Sequence, residues 1–78
     1  MKMIGDPNVP LTPREDEVCR LMLKGFSARE IADILSSRTR TVEQHINNVR
    51  NKLGAGNRVH MAVHLLIRGI ITMTINDL

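Results

Sequence analysis

Aromatic side chains are almost absent from this chain of 78 residues, since Phe26 is its only aromatic residue. Modules that bind single-stranded DNA or RNA stack bases on aromatic side chains, so this scarcity argues against that class of protein. Long apolar runs are missing too, and none approaches the roughly 20 residues of a membrane span. We therefore expect no membrane partner and a cytoplasmic location.

Cysteine is represented by Cys19 alone, which excludes an internal disulfide. Because its neighbours Val18, Leu21 and Met22 are apolar, a packing role in a reducing compartment is favoured over a reactive thiol. A chain this short builds one small core, and it offers no nucleophile with a base, no paired carboxylates and no phosphate loop. We predict no enzymatic activity and no cofactor.

Positive charge is concentrated in the second half of the chain. Residues 38–70 hold six Lys and Arg side chains against a single carboxylate, Glu43. A local excess of cations is typical of proteins that bind polyanions, because neutralised phosphates release their counterions. Since aromatic platforms for single strands are missing, duplex DNA is the expected partner.

Capping signals and apolar periodicity predict an all-α fold of four helices and no strands. The predicted spans are about Pro13 to Lys24, Ala28 to Leu35, Thr41 to Leu53 and Arg58 to Arg68. Residues 1–10, which include Gly5, Pro7 and Pro10, are expected to be a flexible lead or the stub of a linker. The domain itself is predicted over residues 11–71, followed by a C-terminal tail at 72–78.

The third predicted helix has an apolar face and an amide face. Helical spacing turns four amide side chains away from the apolar positions Val42, Ile46, Val49 and Leu53, and these amides are Gln44, Asn47, Asn48 and Asn51. An amide offers a donor and an acceptor side by side, which matches the N6 and N7 edge of adenine in a major groove. We interpret this helix as DNA-reading, the alternative being an Asn-rich solvated surface.

A short helix, a turn at Ser36 to Thr39 and the amide helix form the layout of a helix-turn-helix over about residues 27–53. Further residues match a known pattern at constant spacing: Leu11 to Glu15, Glu17, Val18, Gly25, Ser27, Glu30 to Ala32, Leu35, Thr41, Val42, His45, Lys52 to Gly54, Asn57, Arg58 and Ala62. With them, the chain resembles the LuxR-type (GerE-like) helix-turn-helix domain of bacterial transcription regulators.

This resemblance implies a four-helix transcription regulator that binds duplex DNA as a homodimer, through its last helix, and places its third helix in the major groove. The base-reading residues expected from the matched positions and the amide face are Glu43, Gln44, Asn47, Asn48 and Asn51. The expected phosphate contacts are Ser27, Arg38, Arg40, Thr41, His45, Arg50 and Lys52. A promoter or operator with an inverted repeat is the expected target, RNA polymerase is a further candidate partner, and the protein would be nucleoid-associated.

Three positions leave alternatives open. Arg38 stands where the family usually has Ser, so Ser37 or Thr39 would have to cap the third helix. Glu43 stands where a basic residue is common, and it either accepts a hydrogen bond from cytosine N4 or disfavours DNA. His45 matches the family's His, but it lies at the edge of the core face and could pack or contact a phosphate.

The fourth predicted helix carries apolar residues on two sides. Its expected inner stripe is Val59, Ala62, Val63, Leu66 and Ile70. Its expected dimer interface is the opposite side, with Met61, His64, Leu65 and Arg68. Solvated hydrophobic residues are the alternative to an interface. His60 and His64 have a spacing that could hold a metal ion, but no third ligand lies near them in sequence, so no metal site is predicted.

Two functions therefore follow from the sequence. The leading one is a dimeric, sequence-specific DNA-binding transcription regulator. The alternative is an interaction protein with the same fold, which dimerises with or inhibits another regulator while Glu43 prevents DNA contact. Salt-dependent binding to duplex DNA would distinguish them.

Overall fold

The computed structural model describes residues 11–72, and that part of the chain consists of four α-helices with no strand. The helices are α1 (Pro13–Leu23), α2 (Ala28–Ile34), α3 (Thr39–Leu53) and α4 (Arg58–Ile67). The predicted all-α, four-helix fold is confirmed. The predicted lead at 1–10 and all of the predicted tail beyond residue 72 lie outside the described residues. Within residues 11–72, no helix has the length and apolar character needed to cross a membrane.

Reciprocal capping boxes begin α1 and α2. Thr12 Oγ1 accepts a hydrogen bond from Glu15 N at 3.1 Å, and Glu15 Oε1 accepts one from Thr12 N at 2.9 Å. The same arrangement begins α2, where Ser27 Oγ accepts a hydrogen bond from Glu30 N at 3.2 Å and Glu30 Oε1 accepts one from Ser27 N at 2.8 Å. Each box satisfies backbone N–H groups that the start of a helix leaves unpaired, so the sequence determines where both helices begin.

The turn between α2 and α3 contains Ser36 in the left-handed region, with φ 52°. The turn occupies residues 35–38, one position earlier than predicted, because α2 ends at Ile34 and α3 already begins at Thr39. Arg38 is the N-cap residue, and it makes no side-chain cap hydrogen bond. The prediction that Ser37 or Thr39 would cap α3 is therefore wrong.

The core lies around α3, which packs against α1, α2 and α4. Its buried apolar side chains are Val18, Cys19, Ala28, Ile31, Ala32, Val42, Ile46, Val49, Leu53, Ala55, Met61, Leu65 and Ile71. The whole predicted apolar face of α3 belongs to this set. The amide face of α3 consequently points away from the core, as the sequence predicts.

The two sides of α4 are the reverse of the prediction. Met61 and Leu65 are both 0% exposed, whereas Val59 is 75%, Val63 50% and Leu66 46% exposed. The prediction that Met61 and Leu65 lie at a dimer interface is therefore wrong. Because α4 is apolar on both sides, its periodicity could not determine which side packs under α3.

Cys19 packs in the core with no exposed surface. Burial raises the pKa of its thiol to about 12, and the nearby carboxylates of Asp16 and Glu15 add to the increase. A thiol that stays protonated at neutral pH is a poor nucleophile. The packing role is confirmed, and the alternative of a reactive thiol is wrong.

Candidate nucleic-acid interface

The exposed face of α3 brings the predicted base-reading residues together. Its five side chains are all exposed: Glu43, Gln44, Asn47, Asn48 and Asn51. In the described part of the chain, none of the four amides forms a side-chain hydrogen bond with another residue. Unengaged amides on a helix of this size have the form and the hydrogen-bonding groups that a major groove accepts.

Shallow depressions on this face show how the side chains are grouped. One is lined by Arg40, Glu43, Gln44 and Asn47. A second is lined by Glu43, Ile46, Asn47 and Arg58, so it extends from α3 to the first residue of α4. Glu43 and Asn47 line both depressions and are therefore central to the candidate interface.

Four predicted phosphate contacts differ in their freedom to reach DNA. Arg38 and Arg40, at the start of α3, are exposed and have no ion pair within the described residues. Arg50 instead donates from Nη1 to the carbonyl of Ala55 at 3.3 Å, and Lys52 Nζ lies 2.6 Å from Glu15 Oε1. Both of these cations are used inside the fold, so we do not assign them to phosphate binding.

The Lys52–Glu15 ion pair connects the last turn of α3 with the first turn of α1. Glu15 is only 4% exposed. Burial acts to raise the pKa of its carboxyl group, but the hydrogen bond and charge of Lys52 and the hydrogen bonds of Thr12 outweigh burial, and the pKa is lowered overall. A buried carboxylate with these partners is stable in its charged form.

Two of the remaining predicted phosphate contacts lie on α3, and the third caps α2. Thr41 and His45 are half-buried and share one side of α3 by their spacing. Ser27 is exposed, but its hydroxyl oxygen already accepts the Glu30 N–H at 3.2 Å. The Glu30 carboxylate lies beside it and would repel a phosphate, so Ser27 is the least suitable of the three.

Arg58 is a member of this surface that the sequence analysis missed. The sequence contains two signals: Arg58 itself matches the family pattern, and Asn57 precedes it as a capping residue. The Asn57 side chain accepts the His60 N–H at 2.8 Å and so makes Arg58 the first residue of α4. Spacing along α3 cannot show that the start of another helix lies beside Glu43. The tight turn after Leu53, with Gly54 at φ 68°, brings α4 back to that side.

His60 and His64 lie on α4 with their Nε2 atoms 3.1 Å apart. His60 Nδ1 accepts a hydrogen bond from Gly56 N at 3.3 Å, so in the neutral ring Nε2 carries the proton and donates it to His64. Partial burial, followed by the charge of Arg68 and the nearby His60, lowers the pKa of His64. Among residues 11–72, no group of three metal-ligating side chains is present.

Comparison with known proteins identifies a family. Residues 9–65 match the family described as "Bacterial regulatory proteins, luxR family" (GerE). The transcriptional activator protein BjaR1 of Bradyrhizobium diazoefficiens is 50% identical over 62 residues, covering 80% of this chain and 25% of that protein. The transcriptional activator protein SolR of Ralstonia solanacearum is 40% identical over 70 residues, covering 90% of this chain and 30% of that protein.

A third relative extends the similarity to another regulator. The transcriptional regulatory protein MctR of Rhizobium johnstonii is 36% identical over 63 residues, covering 81% of this chain and 29% of that protein. The chain thus spans 25–30% of the length of these three relatives. No solved structure matches the chain. The relatives are regulators, so the predicted family is confirmed, as is the prediction that the chain is not an enzyme.

Proposed function

Because the chain belongs to the luxR family of bacterial regulatory proteins, we propose that it regulates transcription by reading the major groove of duplex DNA with α3. The observation that carries this proposal is the row of unengaged amide side chains on the exposed face of α3. Asn is a mediocre helix former, so an exposed helix face with three Asn residues within residues 47–51 is a poor choice for stability alone. It is well suited to base edges, each of which presents complementary groups.

Each residue of the interface has a role within this proposal. The amide side chains bind the N6 and N7 edge of adenine, and they are Gln44, Asn47, Asn48 and Asn51. The Glu43 carboxylate accepts a hydrogen bond from cytosine N4. Arg38 and Arg40 bind phosphates beside the start of α3, and Thr41 adds a hydroxyl donor there. The unfilled N–H groups of the first turn of α3 favour an anion in the same place.

Homodimerisation through α4 is part of the proposal, with a different surface from the one the sequence predicted. The exposed side of α4 carries four apolar residues, Val59, Val63, Leu66 and Ile67, with the exposed His60 beside them. A second copy of the chain would cover this side, as the family resemblance implies. A twofold contact between two α4 helices would relate two α3 helices and require an inverted-repeat site. A location at the nucleoid in the cytoplasm and contact with RNA polymerase would accompany this function.

The alternative of an interaction protein that does not bind DNA is not favoured. It requires Glu43 to repel DNA, yet Arg40 and Arg58 line the same depressions as Glu43. Two cations beside one carboxylate leave the local charge positive, which favours phosphates.

Selection of bound sequences from a random duplex pool tests the proposed function. We expect the wild-type chain to enrich an inverted repeat, with affinity that falls steeply as salt increases. The control is a Gln44→Ala, Asn47→Ala double variant, whose changes are exposed and should leave the fold intact. It should retain salt-dependent binding but lose the enriched sequence. If the wild-type chain binds no duplex at low salt, the proposal is wrong.

A further inference from the structure

Glu43 is the only carboxylate between residues 38 and 70, and it lies at the centre of the candidate interface. It takes part in no ion pair or side-chain hydrogen bond within the described residues. An exposed anion facing DNA is repelled by the phosphates unless nearby cations offset its charge and a base donates a hydrogen bond to it. The cations beside Glu43 therefore decide whether it can take part in base reading.

Two cations are placed to offset Glu43. Arg40 lies on the same helix and lines the first depression, while Arg58 lines the second from α4. Arg50, another cation near this side of α3, directs its guanidinium to the carbonyl of Ala55. Arg58 is thus the cation that a second helix brings to Glu43.

We propose that Arg58 is a specificity-determining residue of the DNA interface. It binds the phosphate backbone beside the base pair that Glu43 contacts, and in doing so it allows Glu43 to accept a hydrogen bond from cytosine N4. This inference rests on the proposed function, because it assigns a role within the same DNA-binding surface.

The position of Arg58 suits this role. It is the first residue of α4, and the Asn57 side chain fixes the start of that helix. A guanidinium presents paired donors that match a phosphate, and it stays charged at any accessible pH. Like Glu43, Arg58 has no ion pair within the described residues, so its guanidinium is not engaged by the fold.

Four proteins test the proposal: the wild-type chain, Arg58→Ala, Glu43→Gln and the variant with both changes. Sequence selection should show cytosine enriched at one position in each half-site by the wild type and lost in Glu43→Gln. On the cytosine site, Arg58→Ala should weaken binding by about tenfold and reduce the salt slope by about one unit. In the Glu43→Gln background, the loss caused by Arg58→Ala should be several-fold smaller, because no carboxylate then needs to be offset.

Arg20→Ala is the matched control, since it removes an equal charge from α1, where Arg20 pairs with Asp16 at 2.8 Å. It should leave the cytosine preference unchanged. If Arg58→Ala melts at a lower temperature than the wild type, Arg58→Gln replaces it in both backgrounds, because it removes the charge and keeps a long side chain. Equal losses from Arg58→Ala in both backgrounds would overturn the proposal, as would a wild type that binds DNA without preferring cytosine. A wild type that binds no duplex would instead contradict the proposed function itself.

Discussion

At the scale of single residues, Asn47 is the most informative position of α3, because it lines both depressions of the candidate interface. Asn47→Ala should weaken binding to the selected site by about 1–3 kcal/mol and relax the base preference at one position, since a bidentate amide contact is lost. Competition titrations against single-base variants of the site measure both effects. Asn48→Ala is the comparison, and it should affect a different base position.

An Asn47→Ala protein that keeps its preference at every position would remove this residue from the base-reading set. The melting temperature should not fall, because Asn47 is exposed, has no side-chain hydrogen bond to lose and is replaced by a better helix former. A lower melting temperature would indicate that Asn47 has a structural role.

His64 provides a second prediction at this scale, and it concerns pH. Its pKa is lowered from 6.5 in the folded chain, first by partial burial and then by Arg68 and His60. Folding therefore favours the neutral ring, which accepts the His60 N–H. The corresponding stability is present above pH 6.5 and is lost as the pH falls below it through the folded pKa. NMR titration should give a His64 midpoint below 6.5, and a midpoint above that value would contradict the observed pairing.

His64→Gln is the matched variant for the stability measurement. It removes the titrating ring but keeps a polar side chain of similar reach. Its melting temperature should depend less on pH between about 7.5 and 5 than that of the wild type. An unchanged pH dependence would show that other groups cause it.

At the scale of helices, the sequence was sufficient for α3 and insufficient for α4. In α3 the apolar residues fall on one side and the amides on the other, so helical periodicity alone separates core from surface. In α4 both sides are apolar, and the choice between them depends on which side the turn after Leu53 directs towards the core. A local pattern cannot contain that information.

Contacts between helices explain the other differences at the site. The Lys52–Glu15 ion pair joins residues 37 positions apart, and nothing near Lys52 in the sequence signals it. The approach of Arg58 to Glu43 likewise depends on the path of the turn between α3 and α4. Sequence reasoning could thus identify the exposed amide face of α3, but it could not identify which cations form contacts within the fold.

The ion pair between α1 and α3 leads to a prediction about stability. Lys52→Met should destabilise the chain by about 1–3 kcal/mol, because the nearly buried Glu15 carboxylate loses its cation while Lys52 itself is partly exposed. In a domain of this size, each kcal/mol lowers the melting temperature by about 4–8 °C. Thermal unfolding measures the change, and Arg14→Met, which breaks an exposed pair with Glu17, is the control.

The same ion pair has a pH signature. The lowered pKa of Glu15 means that its contribution is present above pH 4.5 and is lost as the pH falls through the folded pKa. Lys52→Met should therefore lose less stability than the wild type on acidification. If Lys52→Met keeps the wild-type melting temperature and only weakens DNA binding, the phosphate role that the sequence suggested for Lys52 is correct after all.

At the scale of the whole molecule, the two candidate interfaces are centred on different helices and use different chemistry, and Arg58 is the one residue of α4 that we assign to the DNA surface. The exposed face of α3 is polar, whereas the exposed side of α4 is mainly apolar, with Val59 75% and Ile67 80% exposed. Exposed apolar residues that adjoin one another on one helix are typical of a surface that another chain covers. One copy of the chain can therefore bind DNA through α3 while its α4 contacts a second copy of the chain.

Dimerisation through this side of α4 is the last prediction. Val63→Glu should give a folded monomer, because Val63 is half exposed and a charge there would be left unpaired within the interface. Ile34→Glu is the matched control, since Ile34 is similarly exposed but lies on α2, and it should keep the dimer. Leu65→Glu should behave differently from both and unfold the chain, because Leu65 has no exposed surface.

Sedimentation and occupancy of the DNA half-sites together decide whether this dimer exists. The wild type should sediment as a dimer, or else form one on DNA and fill both half-sites together, whereas Val63→Glu should stay monomeric and fill them singly. The operator affinity of Val63→Glu should fall steeply, because each copy then binds without the help of its neighbour. A wild type that is monomeric well above the concentrations used for DNA binding, and that fills half-sites one at a time, would show that the apolar side of α4 does not pair with a second copy.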